Sequence, residues 1–476
     1  MNNKISTATR WSFLTQLLSK LLTPITNMIL ARILVPDVFG VIATITMITS
    51  FADLLTESGF QQYLIQKDFQ NEEKIKECAN IAFFINFCIS SFLLILIFFN
   101  RFFLAKTFGD VSIASAIFVA SLQLPITSVS SVQMTLFKRN LDFKPIFYSQ
   151  TLSALVPLLI TVPLAFFGFG YWSVIIGNLI GTILKAILLS FLSKYNLKFY
   201  FAYNEFKDMF SFSFFALLES LSSWLVNWSD TFFIGTLFSA YYLGLYKNSI
   251  SMVNSLIAII TSAFLPILYS VLSRYQNDRK KYNYFLTDFH RFMAYMILPI
   301  GIGVLLFNEF CTVLLFGYKW IEASFVVGYW AFSTIIRTLF FSIFMEAFRS
   351  IGKPSICLDL QIFDFMIMFL IFILFGNVSF HNFVILRCLS RLVVIIPTLI
   401  LLRKYCNLRV NRIFKNIIVP VIGCVLMVGV RLLFSVVSLN MINNFIIIII
   451  CAIVYLTVVI FIGRKDIVKL IHEFVL

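Results

Sequence analysis

Charge is scarce in this sequence. Only 12% of its 476 residues are Asp, Glu, Lys or Arg, while 60% are hydrophobic, and a soluble domain keeps about a quarter of its residues charged. A water-soluble enzyme of this length is thereby excluded. Histidine is scarcer still: His290, His381 and His472 are the whole supply, scattered in a way that argues against a His-based metal centre. The eight cysteines show no CxxC or other ligand spacing and lie mostly in apolar runs, so they read as small core residues. No stretch between apolar runs is long enough for a soluble domain. The one GK pair, in SIGKPS, lacks the glycine pattern of a phosphate loop. No catalytic residue, metal or cofactor is therefore expected, and any transport must draw its energy from elsewhere.

What the chain has is apolar length, with a mean hydropathy of +0.94. A spanning helix needs roughly 20 apolar residues. Fourteen such windows fall at about 10–32, 38–58, 78–99, 112–136, 145–168, 170–193, 209–237, 241–271, 288–308, 324–347, 355–376, 380–402, 415–437 and 443–463. With a cytoplasmic N-terminus, 25 of the 37 Lys and Arg fall in inner segments and 4 in outer ones, as the positive-inside rule requires. Fourteen spans with both termini cytoplasmic is the expected topology. The first run carries Lys20 and lacks a small-residue cleavage site, so it reads as a retained span. Most of the +15 charge is this topological bias, which suits anionic lipid and gives no argument for nucleic acid.

Polar residues recur at helical spacing inside several runs. Ser12, Gln16, Lys20, Thr23 and Asn27 form one stripe, and Thr46, Ser50, Asp53 and Glu57 a second; Glu219, Ser223, Asn227 and Asp230 form a third, and Lys247, Ser251 and Ser255 a fourth. Such groups are costly in lipid and should face a water-filled cavity or one another. Hydrogen bonding between helices accounts for the hydroxyls well and for Lys20, Asp53 and Glu57 poorly. Arg387 and Arg391 are matched in depth to Asp364 on the neighbouring run, where a structural ion pair to Arg391 is the plain reading, whereas Arg337 and Glu346 show no obvious local partner and read as cavity residues. Lys185, Asp288, Arg291, Asp359 and Arg431 lie close enough to span ends to snorkel. Lys20, Arg32, Lys247 and Arg337 together would attract an anion, and phosphate or pyrophosphate is the group that lysine and arginine meet through charge-assisted hydrogen bonds.

The stretch ARILVPDVFGVI at 31–42 corresponds in pattern to GTLFSAYYLGLY at 235–246: a span end, a short turn, and an apolar–Gly pair opening the next span. Spans one to six are thereby set against spans seven to twelve as repeats. The expected division is an N-lobe at 1–206, a C-lobe at 207–406 and a helix pair at 407–476.

LARILVPDVFGVIA followed by SGFQQYLIQKDF resembles the opening of the Wzx-type polysaccharide flippases of the MOP (multidrug/oligosaccharidyl-lipid/polysaccharide) exporter superfamily, as do FKRNLDFK, GFGYWSVIIGNLIG, LGLYKNSISMV and FGYKWIEA in order along residues 1 to about 405. The resemblance implies an all-α, MATE-like integral membrane protein of the bacterial inner membrane: fourteen helices, two six-helix lobes related by a pseudo-two-fold axis, and two C-terminal helices. It implies alternating access and no enzymatic activity. The cargo would be undecaprenyl-diphosphate-linked oligosaccharide, an O-antigen or other surface repeat unit, delivered to a polymerase and its chain-length machinery. On this reading Lys20, Arg32, Lys247 and Arg337 meet the diphosphate, while Gln16, Asn27 and Asn227 meet sugars. Asp53, Glu57, Glu219, Asp230 and Glu346 either balance the cations or carry a coupling proton or sodium ion. A multidrug exporter or lipid-II-type flippase of the same superfamily, a polymerase or ligase acting on the same lipids, and a structural scaffold are the alternatives.

Overall fold

The computed structural model describes residues 2–474 except 58, 70, 194, 377, 409 and 435–440; the side chains of 2–6, 8, 9, 13, 16, 17, 19–21, 57, 212, 215 and 465–474 also lie outside the description. Gln16, Lys20 and Glu57 are thus outside the described side chains. Among the described residues every regular element is a helix: α1 (Asn2–Ile33), α2 (Pro36–Glu57), the short α3 (Phe60–Gln66), α4 (Glu72–Thr107), α5 (Val111–Arg139), α6 (Phe143–Phe166), α7 (Tyr171–Leu192), α8 (Tyr203–Leu237), α9 (Ala240–Arg274), α10 (Arg279–Leu306), the short α11 (Asn308–Phe316), α12 (Tyr318–Ser350), α13 (Pro354–Phe375), α14 (Phe380–Cys406), α15 (Val410–Leu433) and α16 (Met441–Phe474).

Twelve of these are long and apolar enough to cross a membrane among the described residues. The difference from the expected fourteen lies in α1 and α8. The polar stripe of α1 dilutes its hydropathy, and α8 is bent by 47° between Tyr203–Ser211 and Ala216–Leu237, making a thirteenth only as a broken span. Helix starts follow local chemistry. Pro36 opens α2, where its missing N–H costs nothing. Asp278 caps α10 by accepting from the amides of Lys280 and Lys281, both at 3.1 Å, and these bonds, that of Lys281 foremost, hold its carboxyl below the usual range.

The helices gather into two compact units, Met1–Lys247 and Asn248–Leu476. In the first, α1 packs on α6, α6 on α7, α7 on α5, α5 on α4, and α2 on α8, around fully buried Leu64, Ile81, Ile117 and Leu124. In the second, α10 packs against α12 and α15, α15 against α16, and α14 against α12 and α13, around Phe289, Phe344 and Phe348. Phe99, Phe191 and Phe461 stand 75%, 85% and 81% exposed, an apolar exterior suited to lipid and not to water.

Two details govern helix register. Pro157–Thr161 in α6 and Thr338–Ser342 in α12 are π-helical turns, each widening its helix locally. Where α2 and α9 begin, Gly40 and Gly244 permit backbone-to-backbone contact: a Cβ on Gly40 would lie 1.9 Å from the carbonyl oxygen of Ala240, and one on Gly244 would lie 1.9 Å from that of Pro36. Only glycine fits there.

Candidate functional site

In the first unit an open cavity of about 590 Å³ is lined from α1 by Thr23, Thr26, Asn27 and Leu30, from α2 by Ile42 and Thr46, from α6 by Gln150, Ser153, Ala154, Pro157 and Thr161, and from α7 by Val174, Asn178 and Lys185. The volume falls within the range of ligand pockets, about 300–1,000 Å³. Lys185 is the one charged side chain among the described lining residues, and no carboxylate stands among them. Helical spacing produces this wall: Asn178 and Lys185 lie seven residues apart on α7, and Thr23 and Asn27 four apart on α1, so each pair shares a face. The π turn brings Thr161 into the wall, its Oγ1 buried against Gly177 of α7 without a hydrogen-bond partner. Amides, hydroxyls and one ammonium can bind a polyhydroxylated or anionic ligand through several modest hydrogen bonds.

The stripes on α1 and α2 thus converge in part. Asn27 and Thr46 reach the cavity. Asp53 instead meets α5, accepting from Thr127 Oγ1 at 3.2 Å and Gln123 Nε2 at 3.5 Å. Arg32 is exposed in the last turn of α1, where a cation complements the helix dipole. On α8, Glu219 and Asn227 are exposed and Asp230 half-buried. Tyr246 donates to Asp230 Oδ2 at 3.1 Å. Lys247 donates to Thr231 Oγ1 at 3.0 Å and lies 4.0 Å from the centroid of the Trp228 ring, with Asp230 as its electrostatic partner. The cation and acid expected separately in the lumen therefore share one helical hairpin. Trp224 Nε1 donates to Ser50 Oγ at 3.0 Å and ties α8 to α2.

The second unit gathers three arginines of the spans, of which Arg387 and Arg391 are buried and Arg337 is half-buried. Arg337 Nη2 donates to Asp364 Oδ2 at 2.8 Å, so the expectation that Arg337 has no local partner is corrected, as is the pairing of this carboxylate with Arg391. Arg391 instead donates to Ser333 and Thr334 at 2.9 and 3.1 Å and lies 3.7 Å from the centroid of the Trp330 ring, while Arg387 donates to Ser390 at 3.1 Å. All three guanidiniums are close enough to Asp364 to interact electrostatically. Arg337 Nη1 and Asp364 Oδ1 remain buried without hydrogen-bond partners. Glu346 also has a local partner, accepting from Arg349 at 2.8 Å. Among the described residues no cluster of three His, Cys, Asp or Glu is arranged to hold a metal.

Sequence reasoning set Lys185 aside as a snorkelling residue and passed over Asn178, Gln150 and Ser153. Their signal was available: Asn178, Thr182 and Lys185 recur at four and three, the same period that revealed the other stripes.

Comparison with known proteins gives a match to the family model described as polysaccharide biosynthesis protein, over residues 29–325. Relatives include the succinoglycan biosynthesis transport protein ExoT of Rhizobium meliloti, 24% identical over 73% of this chain and 69% of that protein. An uncharacterized membrane protein in the cps region of Klebsiella pneumoniae is 22% identical over 67% of this chain and 66% of its own. Among solved structures, lipid II flippase MurJ in an inward closed conformation superposes with a TM-score of 0.76 at 14% identity, covering 96% of this chain and all of that one. An inward-facing MATE multidrug transporter of the MOP superfamily gives 0.64 at 14% identity over 82% of this chain and 94% of that one. The fold is that of the MurJ and MATE transporters.

Proposed function

The chain belongs to the polysaccharide biosynthesis protein family, and from that premise we propose that it is a flippase carrying undecaprenyl-diphosphate-linked oligosaccharide from the inner to the outer leaflet of the bacterial inner membrane, with both termini cytoplasmic. The observation that carries this reading is the cavity of the first unit, whose polar lining among apolar neighbours consists of hydroxyls, amides and one lysine, with no acid among the described lining residues. Sugar hydroxyls need many neutral donors and acceptors, and a diphosphate needs a cation. A site selecting cationic drugs would need the opposite sign of charge, so the multidrug alternative is disfavoured.

The reciprocal contact of Gly40 and Gly244 supports a two-fold relation between the first and second sets of six spans, since each partner occupies the other's equivalent environment. Transport by alternating access is part of the proposal, the mode that repeat-built transporters use. Asp53 and Asp230 serve as charge balance or as carriers of a coupling proton or sodium ion. A polymerase and its chain-length partners would act on the product outside.

The reading is tested in cells lacking this protein, by labelling the lipid-linked oligosaccharide with a membrane-impermeant lectin and comparing this with the total extract. Build-up of the intact unit inside, with its outward appearance restored by the wild-type gene, is expected. Normal appearance outside with polymer missing would place the protein after translocation and overturn the proposal. The identity of the accumulated lipid separates an oligosaccharide cargo from lipid II.

A further inference from the structure

A second cavity, of about 620 Å³, opens at the first turns of α10 and α15, within the second unit. Five cations line it, Arg279, Lys280, Arg291, Arg412 and Lys415, against a single carboxylate, Asp288, among the described lining residues. Concave walls of one sign focus the field and concentrate counter-ions. The back of the cleft is fixed: Arg291 donates from Nε and Nη2 to Asn416 Oδ1 at 3.1 and 2.9 Å, and Asn416 Nδ2 donates to the Thr287 carbonyl at 2.9 Å. The front is open, with Arg279, Lys280, Arg412 and Lys415 all exposed.

What lies beside the cations indicates the kind of anion. From Lys415, the spacing of three and then four residues along α15 leads to Ile418 and Ile422, exposed at 50% and 39%, an apolar strip running from the cleft into the span. Tyr284, 54% exposed at the cleft's edge, is the residue type that favours the headgroup level. A free phosphate would use the cations alone, whereas a lipid would use the cations for its phosphate and the strip for its chain. Basic clefts between spans on the cytoplasmic side are suited to such headgroups.

We infer that the cleft between α10 and α15 binds the phosphate group of a membrane-borne lipid. The site rests on the membrane reading of the chain and does not depend on which cargo is flipped. Two lipids offer this chemistry, an anionic phospholipid and a polyprenyl diphosphate.

The test is native mass spectrometry of the purified full-length protein with phosphatidylglycerol, phosphatidylethanolamine, undecaprenyl diphosphate and inorganic pyrophosphate at equal concentration. Retention of phosphatidylglycerol or undecaprenyl diphosphate above phosphatidylethanolamine is expected, with roughly a 30-fold loss in Arg412→Gln/Lys415→Gln, from the contribution of each cation near a membrane surface. Whichever lipid is lost in the variant names the source. Should that variant fail to insert, Arg279→Gln/Lys280→Gln removes two cations from the opposite wall and is expected to show the same loss. Equal retention of phosphatidylglycerol and phosphatidylethanolamine with undecaprenyl diphosphate unaffected by the variants, or pyrophosphate held as tightly as the lipids, would overturn the inference. Lipid binding by the wild-type protein as expected, with no flipping by it in the leaflet assay, would count against the proposed function and leave the cleft standing.

Discussion

Gly40 and Gly244 face one another reciprocally: each Cα opposes the carbonyl oxygen of the residue four positions before the other glycine, Ala240 for Gly40 and Pro36 for Gly244. The two helix starts touch backbone to backbone. Gly40→Ala or Gly244→Ala would drive a methyl to 1.9 Å from a carbonyl oxygen that has no flexible end to move aside. Either variant is expected to lose about 1–3 kcal/mol of stability through overpacking, read as a lower unfolding temperature in detergent. Gly429, where a Cβ meets nothing within 4 Å, provides the tolerant control as Gly429→Ala.

Lys185, the one cation among the described lining residues of the first cavity, should matter more than its neutral neighbours. Lys185→Gln is expected to weaken transport by about ten- to a hundredfold, from the loss of a hydrogen bond to a charged group worth roughly 1.5–3 kcal/mol, while membrane insertion stays normal. The leaflet assay measures it. Transport at the wild-type rate would remove Lys185 from the cargo site.

Asp364 accepts the hydrogen bond of Arg337 and lies within electrostatic reach of Arg387 and Arg391, and neutralising it should remove the countercharge of the Arg337 pair. Asp364→Asn is expected to destabilise the second unit by about 3–5 kcal/mol, checked by thermal unfolding of the purified protein. The double variant Arg337→Met/Asp364→Leu, which removes the 2.8 Å pair together, should unfold at a higher temperature than Asp364→Asn alone. If the single and double variants unfold alike, the pair is not a unit.

Lys247 and Asp230 belong to one hairpin and balance each other. Lys247→Glu is expected to abolish export by setting two acids side by side. The exchange Asp230→Lys/Lys247→Asp should restore the charge balance of the hairpin, with membrane insertion intact in both variants. Export measured in the exchanged protein then separates the roles: recovery means that charge balance suffices, and continued loss means that the position of the ammonium matters.

Much of this fold was legible because lipid imposes few solutions. Apolar length located the twelve spans found among the described residues, and helical period brought Asn27 and Thr46 to one cavity. The partners of charged residues were less legible, because partner choice depends on helix rotation, which hydropathy does not encode. Asp364 matched Arg387 and Arg391 in depth, and only packing brought Arg337 to it as the hydrogen-bond donor. Lys185 and Arg291 lay near span ends, where snorkelling is the economical account; neighbouring helices instead folded their side chains into cavities.

The π turn at Pro157–Thr161 amounts to one residue too many in a helix. Each residue of an α-helix advances the face by about 100°, so the extra one offsets everything beyond Thr161 from the polar positions at Gln150 and Ser153. Excising one residue from this turn would tighten the helix and make its backbone more regular, yet rotate Val162–Phe166 off its seat and disturb the cavity wall. Along this helix, residue count sets aim, and a deletion that straightens the chain should do more harm than most substitutions.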